Sequence, residues 1–167
     1  LHTLVACISI PLNILLTFVV LRKTPDSFST FGLLLKFHAL SDLAAALSGS
    51  SCMQRIIPLE WTIAYISYGP CGYLGSTACY VSCGVLFFSF GTSFYTCIAS
   101  FIFRLLIVSG KHPTNRDALQ LIGCIVLPPS LAFLILFFTV RADDASVQNL
   151  MNIFRPEYGT FEHVVTG

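Results

Sequence analysis

Four long apolar segments constrain this 167-residue chain more than any other feature of its sequence. A helix that spans a bilayer needs about 20 mostly apolar residues, because each residue rises about 1.5 Å across a hydrocarbon core about 30 Å thick. The segments that meet this requirement are residues 1–21, 30–49, 76–108 and 118–140. We therefore predict an all-α, polytopic membrane helix bundle with four transmembrane helices, followed by an outer polar segment over residues 141–167.

The scarcity of charge supports a membrane location. Charged residues make up 10% of the sequence and hydrophobic residues 55%, whereas a soluble domain usually carries about 25% charged residues. Such a chain cannot cover its own surface with polar groups, so the lipid bilayer must be part of its solvent. The composition excludes a disordered chain, a nucleic-acid binder and nearly every soluble enzyme of this size.

The positions of the basic residues predict the orientation. The first and third connections hold Arg22, Lys23, Lys111 and Arg116. The opposite side holds five of the eight acidic residues, namely Glu60, Asp143, Asp144, Glu157 and Glu162. Because Lys and Arg mark the cytoplasmic side, we expect the N-terminus outside. A signal peptide is disfavoured for residues 1–21, because its positive charges would precede the apolar run rather than follow it.

Three polar residues within the first two segments are candidates for function. Asp42 lies about 12 residues into the second segment, roughly 18 Å along a helix and near the bilayer middle. His38 shares its helix face, and Asn13 lies midway along the first segment. They are either interhelical contacts worth about 0.6 to 2 kcal/mol each, or a polar core that binds an ion or water and supports a conformational switch. A metal site is disfavoured because zinc needs three or four ligands.

Arg104 ends the third segment, within the sequence FIFRLLIV. One interpretation is a cation at a helix end whose charged head reaches the inner interface. The other is a cytoplasmic Arg that contacts a partner or locks an inactive state. The residues alone leave both interpretations open.

The connection between the second and third segments combines cysteines with aromatic residues. Cys52 and Cys71 lie in it and Cys79 follows it, on a side whose oxidising environment favours a disulfide. The aromatic residues Trp61, Tyr65, Tyr68 and Tyr73 suit an interfacial belt, which we favour over a cap on a ligand cavity.

Catalytic signatures are missing from the sequence. It contains no HExxH, P-loop or GxGxxG motif, and a single acidic residue at membrane depth cannot form a pair of catalytic carboxylates. We therefore expect neither an enzyme nor a cofactor. A small four-helix transporter or channel subunit is the alternative to a receptor, but it would need repeated polar positions and an internal repeat, and the sequence shows neither.

Three segments carry a resemblance to a known family: KTPDSFSTFGLLLKFHALSDL (Lys23–Leu43), RIIPLEWTIAYISYGPC (Arg55–Cys71) and FRLLIVSGKHPTNR (Phe103–Arg116). With the order of Asn, Asp, Cys and Arg along the first three spans, the chain resembles the first four helices of a seven-helix G-protein-coupled receptor. It is most similar to the nematode serpentine chemoreceptors of class delta.

The resemblance implies roles for individual residues. Asn13 and Asp42 would form a polar pair between the first two helices, and Arg104 would be the cytoplasmic Arg of the third helix, with Phe103 in place of the usual acid. Arg104, Lys111 and Arg116 would face a G protein, and Ser89, Ser93 and Thr96 would line the ligand cavity. Cys79, or alternatively Cys71, would be the outer cysteine. Its disulfide would lie beyond this chain or among Cys52, Cys71 and Cys79.

The resemblance also implies a function. The chain would belong to a chemosensory receptor in the plasma membrane of a sensory neuron, detecting an external small-molecule or peptide cue and signalling to a heterotrimeric G protein. Seven spans with their loops need well over about 200 residues. We therefore expect residues 1–167 to be one partial receptor domain, a fragment that does not signal alone.

Overall fold

The computed structural model describes residues 2–23, 29–59, 62–111, 113–154 and 164–166. Four helical runs in these residues are long and apolar enough to cross a membrane. They are α1 (His2–Lys23), α2 (Ser29–Cys52), α3 (Ser76–Val108) and the continuous run Asn115–Thr139. The predicted helix bundle is thereby confirmed. The bounds of α3 match the sequence prediction, and the other bounds that can be compared differ by one to three residues.

The fourth span is a composite of α4 (Asn115–Leu121), a π turn (Ile122–Val126) and α5 (Leu127–Thr139). It begins with a capping box, in which the Thr114 amide and hydroxyl donate to Asp117 Oδ2 at 2.7 and 2.9 Å. Pro128 and Pro129 then follow the π turn. Because they have no N–H, the carbonyl groups four residues earlier lose their usual donors, and the wider turn is the local response.

Helix α3 is the centre of the bundle, since α2 packs along one side of it and α5 along another, while α1 packs on α2. Gly84 allows a close approach to α5, because a Cβ atom there would lie 2.9 Å from Phe138 Cζ. The largest buried apolar cluster within the spans lies between α2, α3 and the fourth span, towards Arg104. Its members are Leu34, Ala99, Phe103, Ala118, Ile122 and Val126.

A small sheet covers the other end of the bundle, which we call the sheet end. Its strands β1 (Gln54–Leu59), β2 (Thr62–Ser67) and β3 (Val164–Thr166) are antiparallel in the order β1-β2-β3. Helix α6 (Asp144–Phe154) packs on the sheet, burying Val147 and Met151 against Ile57, Ala64 and Ile66. The sequence prediction had only connections in these segments. The difference arises because α6 provides the apolar face that the strands need.

The two faces of the sheet have different partners. In β2, Ala64 and Ile66 point towards α6, and the alternate residue Tyr65 points towards the helices, where its ring centroid lies 6.1 Å from those of Phe87 and Phe137. Ile56 in β1 pairs with Tyr65, so both side chains lie on the face towards the helices. Gln54 lies two residues before Ile56 on the same strand and therefore shares this face. The sheet therefore covers this end of the helix bundle with one face and packs against α6 with the other.

Candidate functional site

Asp42, in the middle of α2, is the centre of a polar network between α2 and α3. Its Oδ1 accepts a hydrogen bond of 2.7 Å from the Ser93 hydroxyl. The Ser93 Oγ also lies 3.5 Å from Ser41 Oγ, and the Ser41 hydroxyl donates to the Ser89 carbonyl oxygen at 3.1 Å. Because a carboxylate at membrane depth is costly unless it is paired, these bonds favour a fixed register of α2 against α3.

His38 contacts the second oxygen of the same carboxylate, with Nε2 3.4 Å from Asp42 Oδ2. Its Nδ1 is buried and has no hydrogen-bond partner among the residues that the structure describes. The Nε2 atom is the ring nitrogen that faces the carboxylate, so an N–H group there can donate to Asp42. No Lys or Arg side chain pairs with Asp42 within the described ranges.

Asn13 does not pair with Asp42 through any hydrogen bond between described residues. Its Nδ2 instead donates to the Ser9 carbonyl oxygen of its own helix at 2.9 Å. Both Asn13 and Asp42 line one cavity, so the structure brings them to a shared space rather than into contact. A hydrogen bond between α1 and α2 is made instead by the Thr17 hydroxyl, which donates to the Ala39 carbonyl oxygen at 3.3 Å.

That space is an open cavity of about 590 Å³ between α1, α2 and α3, which we call the carboxylate cavity. Its polar lining comes from Ser9, Asn13, Asp42, Ser50 and Gln54, and the described residues that line it include no Lys or Arg. The Oε1 atom of Gln54 is buried and has no partner in the described part of the chain. This volume lies in the range of small-molecule sites, about 300 to 1,000 Å³.

A second open cavity, of about 600 Å³, lies between α3 and α5, and we call it the aromatic cavity. Its lining includes Phe87, Phe90, Phe94, Tyr95 and Phe133, with Gly91 between them and no charged residue. Phe90 lines the carboxylate cavity as well, so the two cavities share this residue. The sequence contains 15 Phe residues, and no pattern in it singles out Phe90.

The residues expected to line a ligand cavity have different surroundings. Ser89 and Thr96 are buried, and the Thr96 hydroxyl donates to the Thr92 carbonyl oxygen within α3. Ser93 contacts Asp42 and belongs to the polar network. On α3, the carboxylate cavity is lined instead by Leu86 and Phe90. Ser89, Ser93 and Thr96 therefore lie on the side of α3 that packs against other helices. Helical periodicity alone does not distinguish such a packed side from a cavity wall.

The opposite end of the bundle carries Arg104, Lys111 and Arg116. The Arg104 guanidinium lies 5.5 Å from the centre of the Phe31 ring, while Phe103 beside it is buried. A third cavity, of about 250 Å³, is lined by both His38 and Arg104. It connects the polar network to this end of the bundle. Lys111, directly after α3, and Arg116, in the first turn of α4, are both exposed.

Cys71 and Cys79 form a disulfide that joins the turn Pro70–Leu74 to the start of α3. Cys52, the third candidate, is buried beside this pair as a free thiol. The backbone is also tightly fixed here, because the Gly69 amide donates to the Cys52 carbonyl oxygen at 3.3 Å. The sheet end is therefore held to α3 both covalently and by packing.

The aromatic residues at the sheet end divide into two groups. Tyr65 packs inwards on Phe87 and Phe137, contrary to the expected belt, because it lies on the sheet face towards the helices. Burial, with a contribution from the nearby Cys83 thiol, raises the pKa of the Tyr65 phenol. Tyr73 is 95% exposed and Tyr68 is partly exposed, as a belt requires. Trp61, the fourth residue of the expected belt, lies outside the described residues.

Comparison with known proteins gives the family. The family model described as "Serpentine type 7TM GPCR chemoreceptor Srd" matches residues 1–167. The chain is 29% identical to serpentine receptor class delta-3 of Caenorhabditis elegans over 148 residues, which cover 87% of this chain and 42% of that protein. It is 24% identical to serpentine receptor class delta-31 of the same organism, over 100% of this chain and 51% of that protein.

These relatives set the scale of the chain. It spans about half the length, or less, of the curated relatives it matches. No solved structure matches it. The family match over the whole chain, together with four apolar helices of membrane-spanning length, identifies a multi-pass membrane protein. The chain belongs to the Srd family of serpentine, seven-transmembrane chemoreceptors.

Proposed function

We propose that this chain forms the first four helices of a G-protein-coupled chemosensory receptor that detects an external small-molecule or peptide cue. The observation that carries the proposal is the position of the Asp42 network. Asp42 lines the carboxylate cavity, and its partner His38 lines the cavity that reaches Arg104. A ligand that changes the contacts of Asp42 would therefore act on the opposite end through His38. Family membership supports the same function.

Asn13, His38 and Asp42 serve as a polar core that switches between two arrangements. In the described arrangement Asp42 accepts from both Ser93 and His38. A ligand shifts this equilibrium only if it binds one arrangement better than the other. Competition for the carboxylate would release His38, and the cavity that His38 shares with Arg104 would change shape. This is a local change of packing and charge with an effect at a distant surface.

The orientation follows from the distribution of basic residues. The N-terminus and the sheet end lie outside the plasma membrane of a sensory neuron, and Arg104, Lys111 and Arg116 face a heterotrimeric G protein inside. Lys111 and Arg116 are exposed, which suits a contact with a partner. The Phe31 ring supports the Arg104 head group near the end of α3.

Epitope tags test the orientation directly. A tag before His2 should be labelled by antibody on intact cells, and a tag inserted between Ser109 and Asp117 only after permeabilisation, because the basic connection remains in the cytoplasm. The measurement is immunofluorescence with and without detergent. Labelling of both tags on intact cells would overturn the orientation.

Signalling is best tested in a chimera in which the second half of serpentine receptor class delta-3 is joined to the end of this chain. We expect medium conditioned by nematodes to raise GTPγS binding in membranes that hold the chimera and a G protein. Asp42→Asn should reduce this response more than about tenfold, since it removes the charge that Ser93 and His38 contact. Surface labelling should change less than about twofold.

The control for this experiment is Asp143→Asn, an exposed acid beyond the fourth span. It should leave both the response and the surface amount unchanged. Equal losses of response and surface amount in Asp42→Asn would show that the network only holds α2 to α3. A chimera that reaches the surface but raises GTPγS binding with no class of G protein would contradict the proposed function.

A further inference from the structure

We propose that the carboxylate cavity and the aromatic cavity bind one amphiphilic ligand, with a cationic ammonium head at Asp42 and an aromatic body among the Phe rings between α3 and α5. The inference rests on the proposed function, because it names the class of ligand that the receptor would detect. It depends on the charge of the first cavity, on the shared wall between the two cavities, and on the composition of the second.

The carboxylate cavity offers hydrogen-bond acceptors with free capacity beside a carboxylate that has no Lys or Arg partner among the described residues. The Asp42 carboxylate already accepts from Ser93 and His38, and each of its oxygens has a further lone pair. The side-chain carbonyl oxygen Oε1 of Gln54, the first residue of β1, is buried without a donor from the described residues. The lining residues that the structure describes include neither Lys nor Arg. A ligand head that donates hydrogen bonds and carries positive charge complements this lining.

Phe90 makes one site of the two cavities. It lies three residues before Ser93 on α3, so its level is about 4.5 Å from that of the Asp42 carboxylate. The side chain is 57% exposed and lines both cavities. An ammonium group at Asp42 would lie near this ring, and aromatic rings attract cations over their faces. The same ring would contact the start of the ligand's apolar body.

The aromatic cavity fits the other end of such a ligand. It has the rings of Phe87, Phe94 and Phe133 in its wall and no charged group. Gly91 adds no side chain, and a Cβ atom there would meet only Ser130 Oγ at 3.8 Å. Apolar surface with offset or edge-on rings favours a flat aromatic body. The space suits a group of the size of naphthalene.

Three probes with one aromatic body and different heads test the charge. They are 2-(1-naphthyl)ethylammonium, 2-(1-naphthyl)ethanol and 1-naphthylacetate, measured by fluorescence against the chain in lipid nanodiscs. Empty nanodiscs of the same lipid correct for partitioning. We expect the ammonium probe to bind at least about tenfold more tightly than the alcohol, and the acetate to bind most weakly. Equal binding of the three probes, or tighter binding of the acetate, would overturn the proposal.

Variants assign each end of the probe. Asp42→Asn should reduce the affinity for the ammonium probe about tenfold and leave that for the alcohol within about twofold. Ala132→Phe, which fills part of the aromatic cavity, should weaken both probes. Leu131→Phe is the matched control, since the neighbouring residue is outside that lining, and it should change neither. An equal effect of Asp42→Asn on both probes would contradict a head at Asp42.

Folding and signalling are separated from binding. If Asp42→Asn lowers the yield of folded chain, Phe90→Ala changes an exposed side chain instead and should weaken the ammonium probe about tenfold. An unchanged affinity in Phe90→Ala would contradict the shared site. Selective binding of the ammonium probe in nanodiscs supports the ligand class even if the chimera fails to activate a G protein, and that failure would overturn only the proposed function.

Discussion

Phe103→Ala is expected to lower the free energy of unfolding by about 3 to 5 kcal/mol, the usual cost of emptying a core position of an aromatic side chain. Phe103 is 1% exposed and packs among Leu34, Ala99 and the start of the fourth span, with its ring centroid 5.8 Å from that of Phe31. The remaining side chains belong to α2, α3 and the fourth span, and such a site collapses only in part when a large side chain is removed. The measurement is the midpoint of unfolding by SDS in mixed micelles, monitored by circular dichroism.

Phe101→Ala is the matched control for this experiment. It removes the same side chain two residues away, on the same helix, at a position that is 71% exposed in the isolated chain. We expect a loss below about 1 kcal/mol. Similar losses for the two variants would show that Phe103 does not anchor the end of α3.

Gly69→Ala is expected to prevent the native packing of the sheet end. A Cβ atom at Gly69 would lie 2.1 Å from the Ser51 carbonyl oxygen and 2.7 Å from the Ser51 carbonyl carbon. Both are backbone atoms at the end of α2, so neither can move aside as a side chain would. Relief of this overlap requires the turn to leave α2, which should cost more than about 3 kcal/mol. The fraction of monodisperse protein in size-exclusion chromatography should fall accordingly.

Gly123→Ala provides the comparison for that variant. Gly123 lies in the π turn of the fourth span, and no described atom lies within 4 Å of a Cβ atom added there. We expect its elution profile to match that of the unaltered chain. A monodisperse Gly69→Ala variant with the same unfolding midpoint would mean that the turn after β2 is not held against α2.

The spans could be predicted from sequence because the cost of exposing polar backbone in lipid acts on every residue of a segment alike. The bounds of α3 follow from that rule, with Gly75 before the helix and Gly110 close after it. The strands β1 and β2 were not predicted, since Pro58 and the neighbouring glycines suggest a loop. Their apolar face has a partner only through Val147 and Met151 of α6, some 80 residues later in the chain.

The candidate site was predicted where it depends on spacing within one helix. His38 and Asp42 are four residues apart, and their contact follows from helical geometry. The contact of Asp42 with Ser93 depends on the rotation and height of α3 against α2, which no local pattern specifies. Asn13 shows the same limit. The sequence indicates its depth in the membrane but not its hydrogen-bond partner, which is the Ser9 carbonyl oxygen rather than Asp42.

Among the described residues, the apolar core at the sheet end and the apolar core towards Arg104 share no residue. One joins the sheet to α6 and contains Ile57, Ala64, Ile66, Val147 and Met151. The other lies within the spans towards Arg104. Substitutions that repack one core therefore need no compensating change in the other. During evolution, the packing of the sheet on α6 can diversify while the helix packing towards Arg104 stays under its own, separate selection.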